Sequence, residues 1–196
     1  MTYVRERTEG RRERLKSVLT MRQPDLTLIL ANIHDPHNVS AIYRSADAFG
    51  LMRVHLYYTD TAFPILSRRT SASARKWVET VRHRSVEELS AALPDHQILA
   101  TSCSPLAKPL GDWDLTKKTA IIMGNEHSGV PDDLLTIAHG EVYIPMRGMI
   151  QSLNVSVAAA ILLYEAARQR DAAGMYDKTS LSPYDFEKAY QAWLER

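Results

Sequence analysis

Hydrogen-bonding side chains gather in four short segments, each of which follows an apolar run of the chain. The segments are HDPHN, TSCSP, GNEHSG and MRGMIQSLN. In these segments and on the helix after the first one lie the polar residues of a candidate binding site: Asn38, Arg44, Thr101, Asn125, Glu126, Ser152 and Asn154. Amide, hydroxyl, guanidinium and carboxylate groups bind and orient a ligand through hydrogen bonds. They form no recognisable nucleophile–base set here.

The segment GNEHSG stands between an apolar strand and a predicted helix, where many phosphate-binding loops occur. It contains neither G-x-G-x-x-G nor G-K-[ST], and Glu126, Asp132 and Asp133 would repel a phosphate at that helix start. We therefore expect no dinucleotide cofactor. A ligand without phosphate, including a positively charged one, suits this acidic segment better.

Histidine and cysteine supply no second kind of site. His34 and His37 are three residues apart, but only Asp35 stands beside them as a further ligand, which does not complete a metal site. Cys103 has no evident activating partner. We expect no bound metal and no cysteine nucleophile.

The junction from Ile144 to Glu165 joins the last polar segment to the most apolar helix of the chain. From Val155 onward nearly all residues are small or aliphatic, which predicts a helix buried on most faces. Polar groups at the start of a buried helix are well placed for a site. The alternative is that Ser152 or Asn154 only caps the helix, since both residue types are preferred N-caps.

Arg44 is unusual because it lies among the helically spaced apolar residues Ile42 and Phe49. Two interpretations remain open. Either Arg44 forms a structural salt bridge, for instance with Asp47 or Glu126, or it contacts a phosphate or hydroxyl group of a substrate.

Six short strands alternate with helices, a pattern typical of an α/β fold with a largely parallel sheet. The predicted strands are Leu26–Ile33, Arg53–Tyr58, Trp77–His83, Gln97–Thr101, Thr119–Met123 and Glu141–Ile144. The main predicted helices are 38–49, 85–93, 131–138 and 155–172. Ligands of such sheets bind beyond the carboxyl ends of the strands, which is where the four polar segments fall.

The two ends of the chain carry a basic arm and an amphipathic helix. The arm is helical in pattern up to about residue 22, and its arginines either form a solvated face or contact phosphates. The same two interpretations apply to the basic segment 59–76. The C-terminal helix, PYDFEKAYQAWLE, needs a surface to pack on, which is either the arm or another subunit.

Length and composition agree with one folded domain and short appendages. The chain has 196 residues and an ordinary apolar and charged content. A single cysteine excludes an intrachain disulfide, so we expect a cytoplasmic protein. The longest apolar run, Val155–Tyr164, is too short to span a membrane, which takes about 20 residues.

Three segments of the chain resemble, in order, the motifs of the SPOUT methyltransferases, in particular the SpoU/TrmH family that methylates ribose 2′-hydroxyls of RNA. They are NVSAIYRSADAFG, IIMGNEHSGV and IPMRGMIQSLNVSVAAAILLYE, and the resemblance covers residues 26–170. The arginine-rich arm and the C-terminal extension resemble those of the subgroup that methylates guanosine 18 of tRNA.

The resemblance implies S-adenosylmethionine as methyl donor, a C-terminal trefoil knot and a homodimer with the active site at the subunit interface. It implies catalytic roles for Asn38 and Arg44 of the first motif, Glu126 of the second, and Ser152 and Asn154 of the third. It implies cofactor contacts, largely through the backbone, for Thr101, Gly124, Ile144, Ser152 and Leu153.

In this family the reaction is attack of a ribose 2′-oxygen on the sulfonium methyl carbon, without metal or covalent enzyme intermediate. Arg44 would act across the interface, near the cofactor of the other subunit. Because a guanidinium stays protonated in proteins, we expect Arg44 to orient the hydroxyl and stabilise the alkoxide rather than to act as base. A substrate phosphate is one candidate acceptor for the proton.

The resemblance also implies a division of the chain: a basic helical arm at 1–24 that contacts tRNA, a methyltransferase domain at 25–172, and a helical extension at 173–196. RNA contacts are expected from Arg5, Arg7, Arg11, Arg12, Arg14, Arg68 and Arg69. Two alternatives remain: a 2′-O-methyltransferase for another tRNA site or ribosomal RNA, and a catalytically silent RNA-binding protein of the same fold. No membrane partner is expected.

Overall fold

The structure is a computed structural model that describes residues 8–60, 62–64 and 74–196. In these residues one sheet is formed by seven strands: β1 (Leu26–Ala31), β2 (Arg53–Tyr57), β3 (Glu79–His83), β4 (Gln97–Thr101), β5 (Lys108–Pro109), β6 (Thr119–Met123) and β7 (Gly140–Tyr143). Their spatial order is β3-β2-β1-β6-β4-β7-β5, and every neighbouring pair is parallel. The prediction of an α/β fold with a parallel sheet is thereby confirmed.

The predicted count of six strands was one too low. The missed strand is β5, which has two residues and pairs only with β7 at one end of the sheet. Two residues carry no periodicity, and Pro109 argues against a strand except at a sheet edge. The sequence therefore held no usable signal for β5.

Six α-helices accompany the sheet in the described residues: α1 (Glu9–Thr20), α2 (Pro36–Ala48), α3 (Val86–Ala92), α4 (Asp132–Leu135), α5 (Val155–Ala172) and α6 (Pro183–Leu194). Two of these helices, α2 and α4, differ by more than one residue at an end from the sequence-based expectation. α2 begins at Pro36 rather than Asn38, because Asp35 caps it by accepting a hydrogen bond from the His37 amide at 2.8 Å. α4 is a single turn of four residues, so half of the predicted helix 131–138 is not helical.

The core lies on both faces of the sheet, as expected for parallel strands connected by crossovers. All six residues of β1 are buried. One face packs against α2 and α5, and the other packs against residues of α3 and α4. With helices on both faces, the loops at the carboxyl edge of the sheet are the surface left open for a ligand. None of the described helices is both long and apolar enough to cross a membrane.

The arm and the C-terminal helix pack against each other, so the first of the two predicted surfaces for α6 is the one observed. Leu15 and Leu19 of α1 bury against Tyr190 and Trp193 of α6. Lys16 lies over the Tyr190 ring, 5.2 Å from its centroid. α1 and α6 thus form a small satellite core at one side of the domain.

Two fully buried arginines, which the sequence did not single out, tie this satellite core and α5 to the sheet. Arg22 pairs with Asp47 and lies over the Trp193 ring at 5.1 Å. Arg170, near the end of α5, pairs with Asp25 just before β1. Arg170 also donates to the carbonyl oxygens of residues 115 and 117, at 2.9 and 2.8 Å. Pairing and hydrogen bonding of this kind let a charged group be buried.

Candidate active site

Four loops meet at the carboxyl edge of the sheet, because β1, β6, β4 and β7 are consecutive neighbours and run the same way. They are residues 32–35, 124–131, 102–107 and 144–154. These loops contain or adjoin the polar segments picked out from the sequence. The topology therefore brings together residues that are more than 100 positions apart in the chain.

A chain of hydrogen-bonded side chains joins the three sequence motifs at this edge. The Asn38 amide nitrogen donates to Glu126 Oε1 at 2.6 Å. The Asn154 amide nitrogen donates to Asn38 Oδ1 at 3.1 Å. Asn154 Oδ1 accepts from the backbone nitrogen of Ser156 at 2.9 Å and from its hydroxyl at 2.6 Å. We call Ser156, Asn154, Asn38 and Glu126 the amide chain.

The direction of every hydrogen bond in the amide chain is set at the start of α5. A backbone nitrogen can only donate, so the group of Asn154 that faces the Ser156 amide must be the oxygen. Its nitrogen then faces Asn38, which must present its own oxygen, and this leaves the Asn38 nitrogen for Glu126. The helix start thus dictates that the carboxylate of Glu126 receives a donated hydrogen bond and is held in place.

Asn154 therefore has both of the roles weighed from the sequence. It is the N-cap of α5, and it is also a member of the amide chain. Ser152, the other candidate cap, is exposed and makes no hydrogen bond within the described residues. One amide group serves both roles, because its oxygen accepts from the Ser156 amide and its nitrogen donates to Asn38.

Arg44 is exposed on α2 and forms neither of the salt bridges proposed from the sequence. Asp47 pairs with Arg22, and Glu126 accepts its hydrogen bond from Asn38. At about 100° per residue, Arg44 lies about 120° around α2 from Asn38. The structure thus brings Asn38, Glu126 and Asn154 together but leaves the Arg44 guanidinium unpaired among the described residues and directed away from them.

The predicted cofactor contacts lie at the ends of β4, β6 and β7. Thr101 is half-buried, and its hydroxyl donates to the Ile122 carbonyl at 2.9 Å, so the hydroxyl can meet a ligand only as an acceptor. Gly124 has no space for a side chain, because a Cβ there would lie 2.4 Å from the Gly129 carbonyl carbon. Ile144 and Leu153 are half-buried apolar residues.

The loop before α5 offers an unusual number of free backbone groups. Within the described part of the chain, no backbone group of residues 145–153 bonds to another backbone group. The Gln151 carbonyl accepts only a weak contact from Cys103 Sγ at 3.8 Å. Peptide groups beside half-buried apolar residues can hydrogen-bond the polar edge of a base while its faces pack on the apolar side chains. The donor set therefore fits a nucleoside cofactor.

Asn125 organises the loop between β6 and α4 from inside. It is buried, its amide nitrogen donates to the Asn32 carbonyl at 2.6 Å, and its oxygen accepts from the amides of His127 and Ser128. Asn32 has a positive φ of 47°, which asparagine tolerates better than most residues. Asn125 was grouped with the site residues from sequence, and the structure gives it the supporting role of holding the Glu126 loop against the end of β1.

The expected RNA-binding arginines are only partly within the described chain. Arg11, Arg12 and Arg14 of α1 are all exposed. Arg5, Arg7, Arg68 and Arg69 lie outside the described residues. No group of three or more histidine, cysteine, aspartate or glutamate side chains in the described ranges is placed to hold a metal ion.

A buried histidine pair lies away from the amide chain, on β2 and β3. His55 Nδ1 and His83 Nε2 are 2.8 Å apart, so one ring donates and the other accepts. Burial, reinforced by the neighbouring His83, lowers the pKa of His55 to about 3. Burial also lowers the pKa of His83. Both rings are therefore neutral near pH 7.

The fold matches that of SpoU-type methyltransferases of known structure. The TrmH/SpoU tRNA modifying enzyme of A. aeolicus has a TM-score of 0.88 at 38% identity, over 95% of this chain and 96% of that one. The SpoU methyltransferase AviRb from Streptomyces viridochromogenes, in complex with AdoMet, has a TM-score of 0.68 at 28% identity, over 76% of this chain and 62% of that one.

The sequence comparison is more specific. The SpoU rRNA Methylase family model matches residues 25–164, and the chain belongs to this family. A relative from Thermus thermophilus, a tRNA (guanosine(18)-2'-O)-methyltransferase, is 43% identical over 98% of this chain and 100% of its own length. The resemblance recognised in the three motifs is thereby confirmed.

Proposed function

We propose that this protein transfers a methyl group from S-adenosylmethionine to the ribose 2′-hydroxyl of guanosine 18 in tRNA. Family membership supports an RNA methyltransferase, and the T. thermophilus relative, which matches along its whole length, has this specificity by name. The single observation that carries the proposal is the amide chain, because it assembles side chains from all three motifs at one edge of the sheet.

S-adenosylmethionine, when bound, supplies an electrophilic methyl group on a positively charged sulfur. The backbone of residues 145–153 would hold its adenine edge, and Ile144 and Leu153 would pack against its faces. Glu126, fixed by Asn38, adds negative charge at this edge, which favours a cation over a phosphate. Ser152 is exposed at the same loop and is proposed to contact both the cofactor and the substrate ribose.

Arg44 is proposed to act on the ribose. Its guanidinium has no partner among the described residues, so all its donors can be used to orient the 2′-hydroxyl and stabilise negative charge on the oxygen as the proton leaves. It remains protonated and is not the base. Positioning supplies much of the catalysis, since the reaction needs an in-line approach of the oxygen to the methyl carbon.

We further propose a homodimer in which Arg44 of one subunit acts beside the cofactor of the other. Val157 and Tyr164 of α5 are exposed to solvent. Met149 and Ile150, in the preceding loop, extend this exposed apolar surface. Met149 is 99% exposed, a state that association of two apolar surfaces would relieve. Because Arg44 is directed away from the amide chain of its own subunit, a second copy is needed to complete the site.

A trefoil knot is also part of the proposal. The segment between β4 and β6 contacts both ends of the C-terminal unit: Cys103 meets the carbonyl of residue 151, and Leu115 bonds to Gln169 and Arg170. In a trefoil knot the C-terminal part of the chain passes beneath the segment between β4 and β6. Such a passage would bring this segment into contact with both the loop before α5 and the end of α5. We assign residues 1–24 to a tRNA-binding arm, 25–172 to the methyltransferase domain and 173–196 to a helical extension, and we place the protein in the cytoplasm.

The test is transfer of a labelled methyl group to an unmodified tRNA transcript. The matched control is the same transcript with 2′-deoxyguanosine at position 18, which has no acceptor oxygen. Loss of labelling in this control supports the proposal. Labelling that persists points to another tRNA site, and a comparison of 2′-O-methyl groups in RNA from cells with and without the protein decides between tRNA and ribosomal RNA. Absence of S-adenosylmethionine binding by calorimetry would instead favour a silent RNA-binding protein.

A further inference from the structure

A cleft of about 530 Å³ opens at the carboxyl end of β2, beside the proposed active site. We call it the Phe63 cleft, and it is lined by Tyr58, Thr59, Ala62, Phe63 and Arg84. The Tyr58 and Phe63 rings meet at a centroid distance of 5.5 Å. The half-buried Phe63 ring thus borders a space open to a ligand.

Two arginines reach over the Phe63 ring from the end of β3. The guanidinium carbons of Arg82 and Arg84 lie 5.6 and 5.7 Å from its centroid. Both side chains are exposed, and within the described residues neither guanidinium makes a hydrogen bond or an ion pair. Two acids close in sequence to these residues have other partners: Asp60 accepts from Asn32 and Thr59, and Glu88 accepts from a backbone nitrogen. As far as residues 8–60, 62–64 and 74–196 are concerned, both guanidiniums therefore keep their donors for a ligand.

The cleft is connected to the amide chain by two hydrogen-bonded residues. Thr59, on the wall of the cleft, donates its backbone nitrogen to Asn32 Oδ1 at 3.1 Å. The Asn32 carbonyl in turn accepts from Asn125, the residue directly before Glu126. Across the sheet, β2 and β6 are separated only by β1, so the carboxyl ends of these two strands lie about 10 Å apart at a strand spacing near 4.8 Å.

We propose that the Phe63 cleft binds an unpaired base of the RNA substrate close to the methylated nucleotide, with the base stacked on Phe63 and the Arg84 guanidinium. This inference rests on the proposed function. Aromatic rings and guanidinium planes are the surfaces on which unpaired RNA bases stack, and free arginine donors pair with the adjoining phosphates. The cleft offers both at once, and its open carboxyl-edge position lets one RNA strand reach the cleft and the active site together.

Two variants separate stacking from charge. Phe63→Leu keeps apolar volume but removes the aromatic face, whereas Arg84→Gln removes one positive charge from an exposed side chain. The matched control is Lys118→Gln, which removes one charge directly before β6. This position is at the amino-terminal ends of the strands, whereas the cleft is at their carboxyl ends. The probe is an unmodified tRNA transcript, and its Kd is measured by fluorescence anisotropy over a range of salt concentrations. Binding of S-adenosylmethionine is measured in parallel by calorimetry.

We expect Phe63→Leu to weaken tRNA binding about tenfold with an unchanged salt slope, since stacking is not ionic. Arg84→Gln should weaken binding and also lower the slope by about 0.7, the value for one phosphate contact to a single strand. The control should change neither, and all variants should bind S-adenosylmethionine as the wild type does.

The inference is overturned if wild-type protein binds and methylates tRNA while both cleft variants match the control. It is also overturned by the following pair of results. Phe63→Leu loses affinity only because the variant is partly unfolded, as a lower melting temperature shows, and Arg84→Gln leaves the salt slope of tRNA binding unchanged. A wild-type protein that methylates no tRNA at any salt concentration instead refutes the proposed function itself.

Discussion

Replacing Asn154 by aspartate should separate the two roles of this residue. Aspartate caps a helix about as well as asparagine, because its oxygen accepts the same hydrogen bonds from the Ser156 nitrogen and hydroxyl. Its negative charge at the start of α5 also interacts favourably with the helix dipole. What aspartate cannot do is donate to Asn38 Oδ1. The cap survives and the amide chain is cut.

The size of the effect follows from which hydrogen bond is lost. If Asn38 keeps its orientation, two oxygens face each other across about the present 3.1 Å, and one neutral hydrogen bond worth about 0.5–1.5 kcal/mol is gone. If Asn38 flips, it exchanges its hydrogen bond to Glu126 for one to the new carboxylate, so the net loss is again about one neutral hydrogen bond, and its oxygen now faces Glu126. In either case a loss of this size in the transition state predicts a kcat lower by a factor of about two to ten.

Asn154→Ala is the matched comparison, because it removes the cap and the amide chain together. Its free energy of unfolding should fall by about 1 kcal/mol or more, whereas that of Asn154→Asp should fall by less, because the cap is kept. Urea unfolding measures stability, and transfer of labelled methyl groups to a tRNA transcript measures kcat. Wild-type activity in Asn154→Asp would refute a catalytic role for the amide chain. An equal loss of stability in both variants would refute the assignment of the cap.

Four further predictions address the rest of the molecule. Arg44→Ala should abolish methyl transfer while calorimetry finds S-adenosylmethionine binding nearly intact; most of the activity surviving would remove Arg44 from the catalytic set. Changing the three exposed arginines of α1 to glutamine should weaken tRNA binding and flatten its salt dependence, and an unchanged slope would exclude phosphate contacts by the arm. Tyr164→Glu should convert a dimer to monomers in sedimentation and abolish activity, whereas an active monomer contradicts a shared site. The low pKa of the buried His55 should make the free energy of unfolding fall as pH drops from about 6.5 toward about 3, by about 1.4 kcal/mol per pH unit, because only the unfolded chain takes up the proton. Urea unfolding at about pH 7.5 and pH 5 should therefore differ less in His55→Asn than in wild type.

Much of the fold was predictable because its signals are local. Continuous apolar runs identified β1 and β6, and α5 was predicted with its observed bounds, Val155–Ala172, since small and aliphatic residues persist across that length. β5 and the shortness of α4 were missed. A two-residue strand exists only because β7 lies beside it, and helical residues after Leu135 give way to a turn that feeds β7.

The buried arginines mark a second limit. Arg22 and Arg170 look like ordinary solvated charges in the sequence, but both are fully buried. Each is buried because a carboxylate and carbonyl oxygens from other parts of the chain converge on it. No local pattern encodes that convergence.

The sequence by itself determined the residue types at the candidate site, the absence of a phosphate-binding motif and the order of strands and helices. Each of these depends on neighbours in the chain. Tertiary structure alone decided that Asn154 caps α5 while its amide reaches Asn38, 116 residues away. It likewise decided that Glu126 accepts its hydrogen bond from Asn38 and forms no salt bridge with Arg44. The physical reason is that hydrogen-bond partners and helix faces depend on how parallel strands align their carboxyl ends, which is a property of the assembled sheet.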